Sequence, residues 1–185
     1  MAAIRPVEPV VRVCAAFAAS DSRLDDAIAR LRDRWGEIAI ATPPTPFDSG
    51  GYYERSMGGD LVKRWVAFGE VVPPDELADW KWATNRMEQE WAAGTADAGG
   101  SRVVNLDPGY VTQAKLVLAT TKDRDHRIYL RDGIFAEVTL SYTGGRWVDH
   151  RWTYPDYRTD TVRAFVDACR SLLRRHLQRR GGRRL

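Results

Sequence analysis

VVRVCAAFAASDSRLDDAIARLRDRWGEIAIA, residues 10–41, decides how the chain begins to fold. Its first ten residues form an apolar run of strand length. Ser20 or Asp21 then supplies a helix cap, and Leu24, Ile28, Leu31 and Trp35 recur at helical spacing until Gly36 stops the helix. Residues 37–41 read as a second, short strand. The opening run also resembles the core of a signal peptide, with alanines where a leader would be cut. Arg12 interrupts it, Glu8 and two prolines precede it, and a capped helix follows at once, so an internal strand is the better reading.

Working outward, residues 42–60 hold three prolines and four glycines and read as a long loop without periodicity, a candidate lid. Residues 65–72 resume as a strand. Pro73-Pro74-Asp75-Glu76 opens a second helix that places Leu77, Trp80, Met87 and Trp91 on one face. Residues 93–100 are rich in Gly and Ala and read as a linker, and residues 101–106 as a fourth strand. The resulting β-α-β-β-α-β order is that of a ferredoxin-like unit. Asp107-Pro108-Gly109 then reads as a turn feeding a short helix with Tyr110, Ala114, Val117 and Leu118 on one side. Three strands are expected at 125–130, 134–142 and 146–152. A last helix after Pro155 carries Val162, Phe165, Val166, Cys169, Leu172, Leu173 and Leu177.

The predicted fold is therefore α+β. One domain, residues 1–178, has a mixed or antiparallel sheet with the ferredoxin-like order, followed by a β-meander and a C-terminal helix. Residues 179–185 are read as a basic, disordered tail.

Register within the meander follows from the side chains. A two-residue Asp132-Gly133 loop sets Ile128 opposite Glu137, whereas a three-residue loop sets Arg127 opposite Glu137 and Ile128 opposite Ala136. The second separates polar from apolar faces and is expected to win. A Gly144-Gly145 turn would place Tyr142 opposite Trp147, Thr139 opposite His150 and Glu137 opposite Trp152. One face would then carry Arg127, Glu137, Thr139, His150 and Trp152.

Composition bounds the function classes. A chain of 185 residues buries enough surface for one core, so neither disulfides nor a structural metal are needed. With 44% hydrophobic and 29% charged residues, neither a disordered chain nor a coiled coil is indicated. Residues 174–185 hold six arginines and no acid, while the remainder carries 22 bases and 25 acids. The net charge of +3 therefore belongs to the tail, which could bind RNA or another nucleic acid in a salt-sensitive way. Cys14 and Cys169 lie far apart without ligand spacing, and both read as small core residues of a reduced, cytoplasmic protein without a transmembrane segment.

The polar residues that look least like ordinary surface fall between Asn105 and Arg158. Asp107 is a turn-former or a catalytic carboxylate. Thr121 and Lys122, in a Thr-Thr-Lys-Asp loop, resemble a phosphate cradle, although no GxxxxGK[ST] run makes it a P-loop. His126 is a candidate general base. Glu137 sits mid-strand, where a carboxylate either pairs with Arg127 across the ladder or works chemically. If Asp107, His126 and Glu137 converge, they could hold a divalent metal, though their spacing matches no ligand motif and the sequence identifies no cofactor. Tyr154 and Arg158, with Trp152 and Tyr157, either stack a ligand or pack the last helix.

The runs NLDPGY (105–110), AKLVLATTKD (114–123), HRIYL (126–130), GIFAEVTL (133–140) and WTYPDYR (152–158) resemble a bacterial and archaeal family, the domain of unknown function four-four-one-six. The resemblance reaches the front half through the Phe17 strand and the Pro46-Phe47-Asp48 and Tyr52-Tyr53 loop, and it implies one fold and no established activity. Two functions stay open on the residues. One is an enzyme or ligand-binding protein for a phosphorylated or nucleotide-like small molecule, with a pocket of Asp107, Lys122, His126, Arg127, Glu137 and Arg158. The other is a non-catalytic RNA-binding or assembly module on an aromatic-bearing sheet.

Overall fold

The computed structural model describes residues 3–4, 6–48, 50–51, 53–94, 102–179 and 181, the side chains of residues 54 and 55 excepted. Its centre is strand β1 (Val10–Ala18), all nine of whose residues are buried. Successive side chains leave opposite faces of a strand. Val10, Cys14, Ala16 and Ala18 accordingly enter one core, and Val11, Val13 and Ala15 the other. A run apolar at every position but Arg12 is the pattern of a strand covered on both sides.

Helix α1 (Asp21–Trp35) covers the first face with Leu24, Ala27, Leu31 and Trp35. Ser20 caps it by accepting from the Arg23 N–H at 3.4 Å, and Gly36, at φ +91°, ends it with an N–H donated to the Arg32 carbonyl. Strand β2 (Ile38–Ala41) follows. The stretch expected to be a plain loop contains strand β3 (Thr45–Phe47) and one helical turn, α2 (Glu54–Met57), whose Met57 packs on Phe17 and Leu61. Strand β4 (Leu61–Val72) begins four residues before the predicted strand. It is long enough to pair with β1 on one edge and with β2 and β3 in succession on the other. A 3₁₀ turn (Pro74–Glu76) leads into α3 (Leu77–Gly94), which joins α1 on the first face. Of the linker expected at residues 93–100, residues 93 and 94 belong to α3 and the rest lies outside the described residues.

The main correction concerns NLDPGY. It is not a turn before a helix but the middle of strand β5 (Val104–Val111), antiparallel to β1 along its whole length. Strand β6 (Lys115–Thr120) replaces the predicted helix, and the turn falls at Thr112, whose Oγ1 accepts from the N–H groups of Ala114 and Lys115 at 3.0 and 2.9 Å. Asp, Pro and Gly are turn-formers for local reasons, and here long-range pairing prevails over them. The β6 ladder begins only at Gly109, so Pro108 sits where β5 is flanked by β1 alone, a position that tolerates a missing N–H. Gly109 is needed for close approach, because a Cβ there would lie 2.3 Å from the Val117 carbonyl oxygen and 2.7 Å from Leu118 Cδ2.

Strands β7 (Arg127–Arg131), β8 (Ile134–Thr143) and β9 (Arg146–Asp149) complete the sheet. The register is the expected one, with Arg127 opposite Glu137, Ile128 opposite Ala136 and Tyr142 opposite Trp147. It arises from an Asp132-Gly133 turn, both residues at positive φ, plus an irregularity between Tyr129 and Arg131. The three strands are not a simple meander, because β6 occupies one edge of β8 and β7 and β9 share the other. All pairings are antiparallel, and the described strands form one nine-stranded sheet of order β2-β4-β1-β5-β6-β8-β7. After a 3₁₀ turn (Pro155–Arg158), α4 (Asp160–Arg179) covers the second face with Val162, Phe165, Val166, Cys169, Leu173 and Leu177. Arg174, Arg175 and Arg179 thus belong to a helix, while Arg180 and residues 182–185 of the expected tail lie outside the described residues. No described helix is long and apolar enough to cross a membrane.

Candidate functional site

Register across the sheet builds the site on the face that carries α4, beyond the helix itself. Lys63 of β4, Phe17 of β1 and Asn105 of β5 are neighbours in one cross-strand row, and Trp65, Ala15 and Asp107 form the next. Farther across, Arg127, Glu137, Leu118 and Gly109 make a third row on the same face. Between Asn105 and Pro108, β5 has no β6 partner, and a cleft of about 1060 Å³ opens over that gap. Phe17, Pro46, Phe47 and Tyr53 wall one side, Thr120, Thr121, Lys122 and Arg124 the other, and Tyr154–Tyr157 with Thr159 overhang it.

Two buried lysines reach this floor, one from the helix layer and one from the sheet. Lys81, on the sheet-facing side of α3, donates to the Leu106 carbonyl at 2.8 Å and to Asp107 Oδ1 at 3.3 Å. Lys63 comes from β4, pairs with Asp156 at 2.5 Å, and has its Nζ 4.6 and 4.5 Å from the ring centres of Phe47 and Tyr157. The Asn105 amide donates to Asp107 Oδ2 at 2.7 Å. Burial would raise the Asp107 pKa, but Lys81, Lys63 and Arg102 outweigh it and hold the carboxyl below the usual range. The Tyr157 hydroxyl is pushed well above its ordinary value by burial and by Asp107, Asp156 and Glu137, so it stays protonated. Glu88 of α3 accepts from the Leu106 N–H at 2.7 Å and from Arg102 Nε at 3.2 Å.

Glu137 is the centre of a second cluster. It accepts from Arg127 Nε at 2.8 Å, lies 3.1 Å from His126 Nε2, and takes a 3.4 Å bond from the Thr139 hydroxyl. Arg127 also donates to the Lys122 carbonyl at 2.9 Å, fixing the residue 120–124 loop. His126 Nδ1 meets Asp125 at 2.9 Å, and its ring stacks on Trp152 at 5.0 Å, as does that of His150 at 4.7 Å. Strand β9 ends at Asp149, so the expected pairings of Thr139 with His150 and Glu137 with Trp152 do not form. Side chains finish the β8 edge instead: Trp152 Nε1 donates to the Val138 carbonyl at 2.9 Å and Thr153 Oγ1 to the Thr139 carbonyl at 2.6 Å.

Among the residues singled out from sequence, Asp107, Thr121, Lys122, Arg127, Glu137 and Tyr154 line the cleft. His126 stands behind Glu137 and reaches the cleft only through it. Arg158 is spent on the Thr153 carbonyl at 2.9 Å and on Asp149 at 3.5 Å, bracing the turn before α4. Asp107 and Glu137 share the cleft, but the described residues hold no group of three His, Cys, Asp or Glu side chains placed to bind a metal ion. Sequence reading passed over Lys63, Lys81, Arg102 and Asp156. Lys81, Thr84 and Glu88, all buried, recur at helical spacing beside the buried Leu77 and Trp80, so polar residues on an apolar stripe were the available signal. Lys63 falls outside the strand expected at residues 65–72 and so carries no signal.

A family model described as "Domain of unknown function (DUF4416)" matches residues 8–172, which takes in every residue of the cleft. No curated protein and no solved structure matches the chain.

Proposed function

Because the chain belongs to the DUF4416 family, whose description names no reaction, its function must be read from the cleft, and we propose that it is an enzyme or binding protein for a phosphorylated or nucleotide-like small molecule. The observation that carries this reading is the charge of the lining. Six basic side chains, Lys63, Lys81, Arg102, Lys122, Arg124 and Arg127, face four acidic ones, Asp48, Asp107, Glu137 and Asp156, in a space of small-molecule size. A cationic excess with nearby threonine hydroxyls suits a phosphate, and the walls of Phe47, Tyr53 and Tyr154 suit a ring. In this reading Asp107 and Glu137 are the carboxylates within reach of a ligand, His126 is a positioning residue for Glu137, and Arg158 acts on the turn alone.

The β1-α1-β2-β4-α3-β5 run with strand order β2-β4-β1-β5 supports regarding the front half as a ferredoxin-like unit. Residues 1–178 would then be one domain with a short basic tail. Two buried cysteines, each free, suit a reducing cytoplasm. An RNA platform on an open sheet face is the weaker alternative, because α1 and α3 cover one face and α4 covers much of the other.

A thermal-shift series with nucleotides and sugar phosphates, each with and without magnesium or manganese, tests the proposal. Stabilisation by at least one compound is expected, reduced when Lys122 and Glu137 are both replaced by alanine. A flat series, or stabilisation indifferent to both replacements, overturns it.

A further inference from the structure

We propose that the ligand sits head-inward, with a hydroxyl- or amino-bearing head on the carboxylates of the floor and its phosphate at the mouth, against Thr120, Thr121, Lys122 and Arg124. This rests on the phosphate-ligand reading above and names the class more narrowly: a phosphomonoester whose other end carries hydrogen-bond donors.

The argument is one of accessibility. The floor lysines are matched and shielded. Lys63 is held by Asp156 and Lys81 by Asp107, and each lysine side chain is only 6% exposed. Their carboxylate partners are what a ligand meets, Asp107 at 29% and Asp156 at 22% exposure. Of the remaining lining cations, Arg127 is buried at 7% exposure and taken up by Glu137, while Arg102, at 35%, is bound to Glu88. An ionised carboxylate can only accept hydrogen bonds, and it repels a phosphate. Asp107 remains ionised because the lysines outweigh its burial. Its oxygens already accept from Asn105 and Lys81, each on one lone pair, so capacity is left for a donor from the ligand. The Tyr157 hydroxyl, kept protonated beside them, adds a donor and an acceptor.

At the mouth the cations are open to solvent. Lys122 and Arg124 are exposed on the cleft wall beside Thr120 and Thr121. The loop that bears them is held in place from below by Arg127, which donates to the Lys122 carbonyl, and by Thr120 Oγ1, which accepts from the Lys122 N–H at 3.2 Å. Exposed cations on a fixed loop and half-buried carboxylates beneath them define one polarity for a bound molecule.

Titration calorimetry on the full chain tests this with inorganic phosphate, phenyl phosphate, ribose 5-phosphate and adenosine monophosphate. Phenyl phosphate has no donor on its head, whereas the last two do. Ribose 5-phosphate or the nucleotide should bind about tenfold more tightly than phenyl phosphate, one charge-assisted hydrogen bond's worth, and the better of the two identifies a sugar or a nucleoside head. Arg124→Ala should weaken every phosphorylated probe. Asp107→Asn should weaken the donor-bearing probes about tenfold while leaving inorganic phosphate unchanged or tighter. The wild-type comparison stands even if Asp107→Asn does not fold. Equal affinity for phenyl phosphate and ribose 5-phosphate overturns the head-inward orientation, as does a gain in every phosphorylated probe on Asp107→Asn with no loss on Arg124→Ala, and both leave the phosphate-ligand reading intact. If no probe binds at millimolar concentration, both the orientation and that reading fall.

Discussion

Lys81 Nζ lies 2.8 Å from the main-chain carbonyl of Leu106, joining a helix to a strand where the sheet itself is open. Glu88, two helical turns on, accepts from the N–H of the same residue at 2.7 Å. Two side chains of α3 thus supply both hydrogen bonds that a neighbouring strand would have given Leu106. An unpaired strand edge is costly when buried, and these two charges close it while leaving the cleft above free of backbone.

Lys81→Met should therefore destabilise the protein well beyond the loss of an exposed ion pair. It leaves the Leu106 carbonyl without its donor and Asp107 without its nearest cation, a loss of about 3 kcal/mol by comparison with other broken buried pairs. Urea unfolding should show a lower midpoint with an unchanged slope. Asp107→Asn in the same chain should recover part of the loss, because the carboxylate left uncompensated is gone. A single-variant cost under about 1 kcal/mol means that water replaces Lys81 at the seam.

Gly109→Ala addresses the other side of the seam. Its Cβ would meet the Val117 carbonyl oxygen at 2.3 Å, and backbone cannot swing away as a long side chain can. Strand β6 must move, at a cost of about 3 kcal/mol by comparison with overpacked cores. Gly69→Ala is the matched comparison, since its nearest neighbours would be 3.7 Å away. That variant should stay within about 0.5 kcal/mol of the parent. Denaturation of the pair reads out whether close strand approach, rather than glycine as such, is what position 109 requires.

These two residues also show what could be read from the chain alone. The strand β1, helices α1, α3 and α4, and the pairing of Arg127 with Glu137 all follow from patterns a few residues long: cap, period, segregation of faces. NLDPGY fails by the same logic. Asp, Pro and Gly each favour a turn by local sterics and hydrogen bonding, and only the pairing of β5 with β1, about ninety residues away in sequence, makes them a strand. The site divides likewise. Glu137 and Arg127 were legible because they face each other across a hairpin, whereas Lys63, Lys81 and Asp156 come together from β4, α3 and the turn before α4 through contacts no local pattern encodes.

Both cysteines should be silent in the folded protein. Cys14 and Cys169 are wholly buried, and burial pushes both thiols upward, in Cys14 with a further contribution from Asp107. The thiolate is the reactive form. Native protein at pH 8 should therefore give no colour with dithionitrobenzoate over an hour, and the unfolded chain should titrate both thiols. Prompt reaction of one thiol in the native state means that the core over that residue opens locally.

The acid limb of stability should carry the signature of Asp107. Its folded pKa is depressed, since Lys81, Lys63 and Arg102 favour the ionised form by more than burial opposes it. The unfolded chain then takes up its proton first, at about pH 3.9, while the folded chain resists. Stability from this group is complete above that pH and drains away as the pH falls through the lower, folded value. The stability difference between wild type and Asp107→Asn should accordingly be constant between about pH 5 and 7 and shrink below about pH 4. Asp125 provides the contrast: His126 and Arg151 hold its pKa down as well, but it is an exposed surface group, and Asp125→Asn should alter the acid limb less. Unfolding free energies measured by urea titration from pH 2.5 to 7 decide between them. A wild-type advantage that widens on acidification would reverse the sign, and with it the ionised state of Asp107 on which the polarity of the cleft depends.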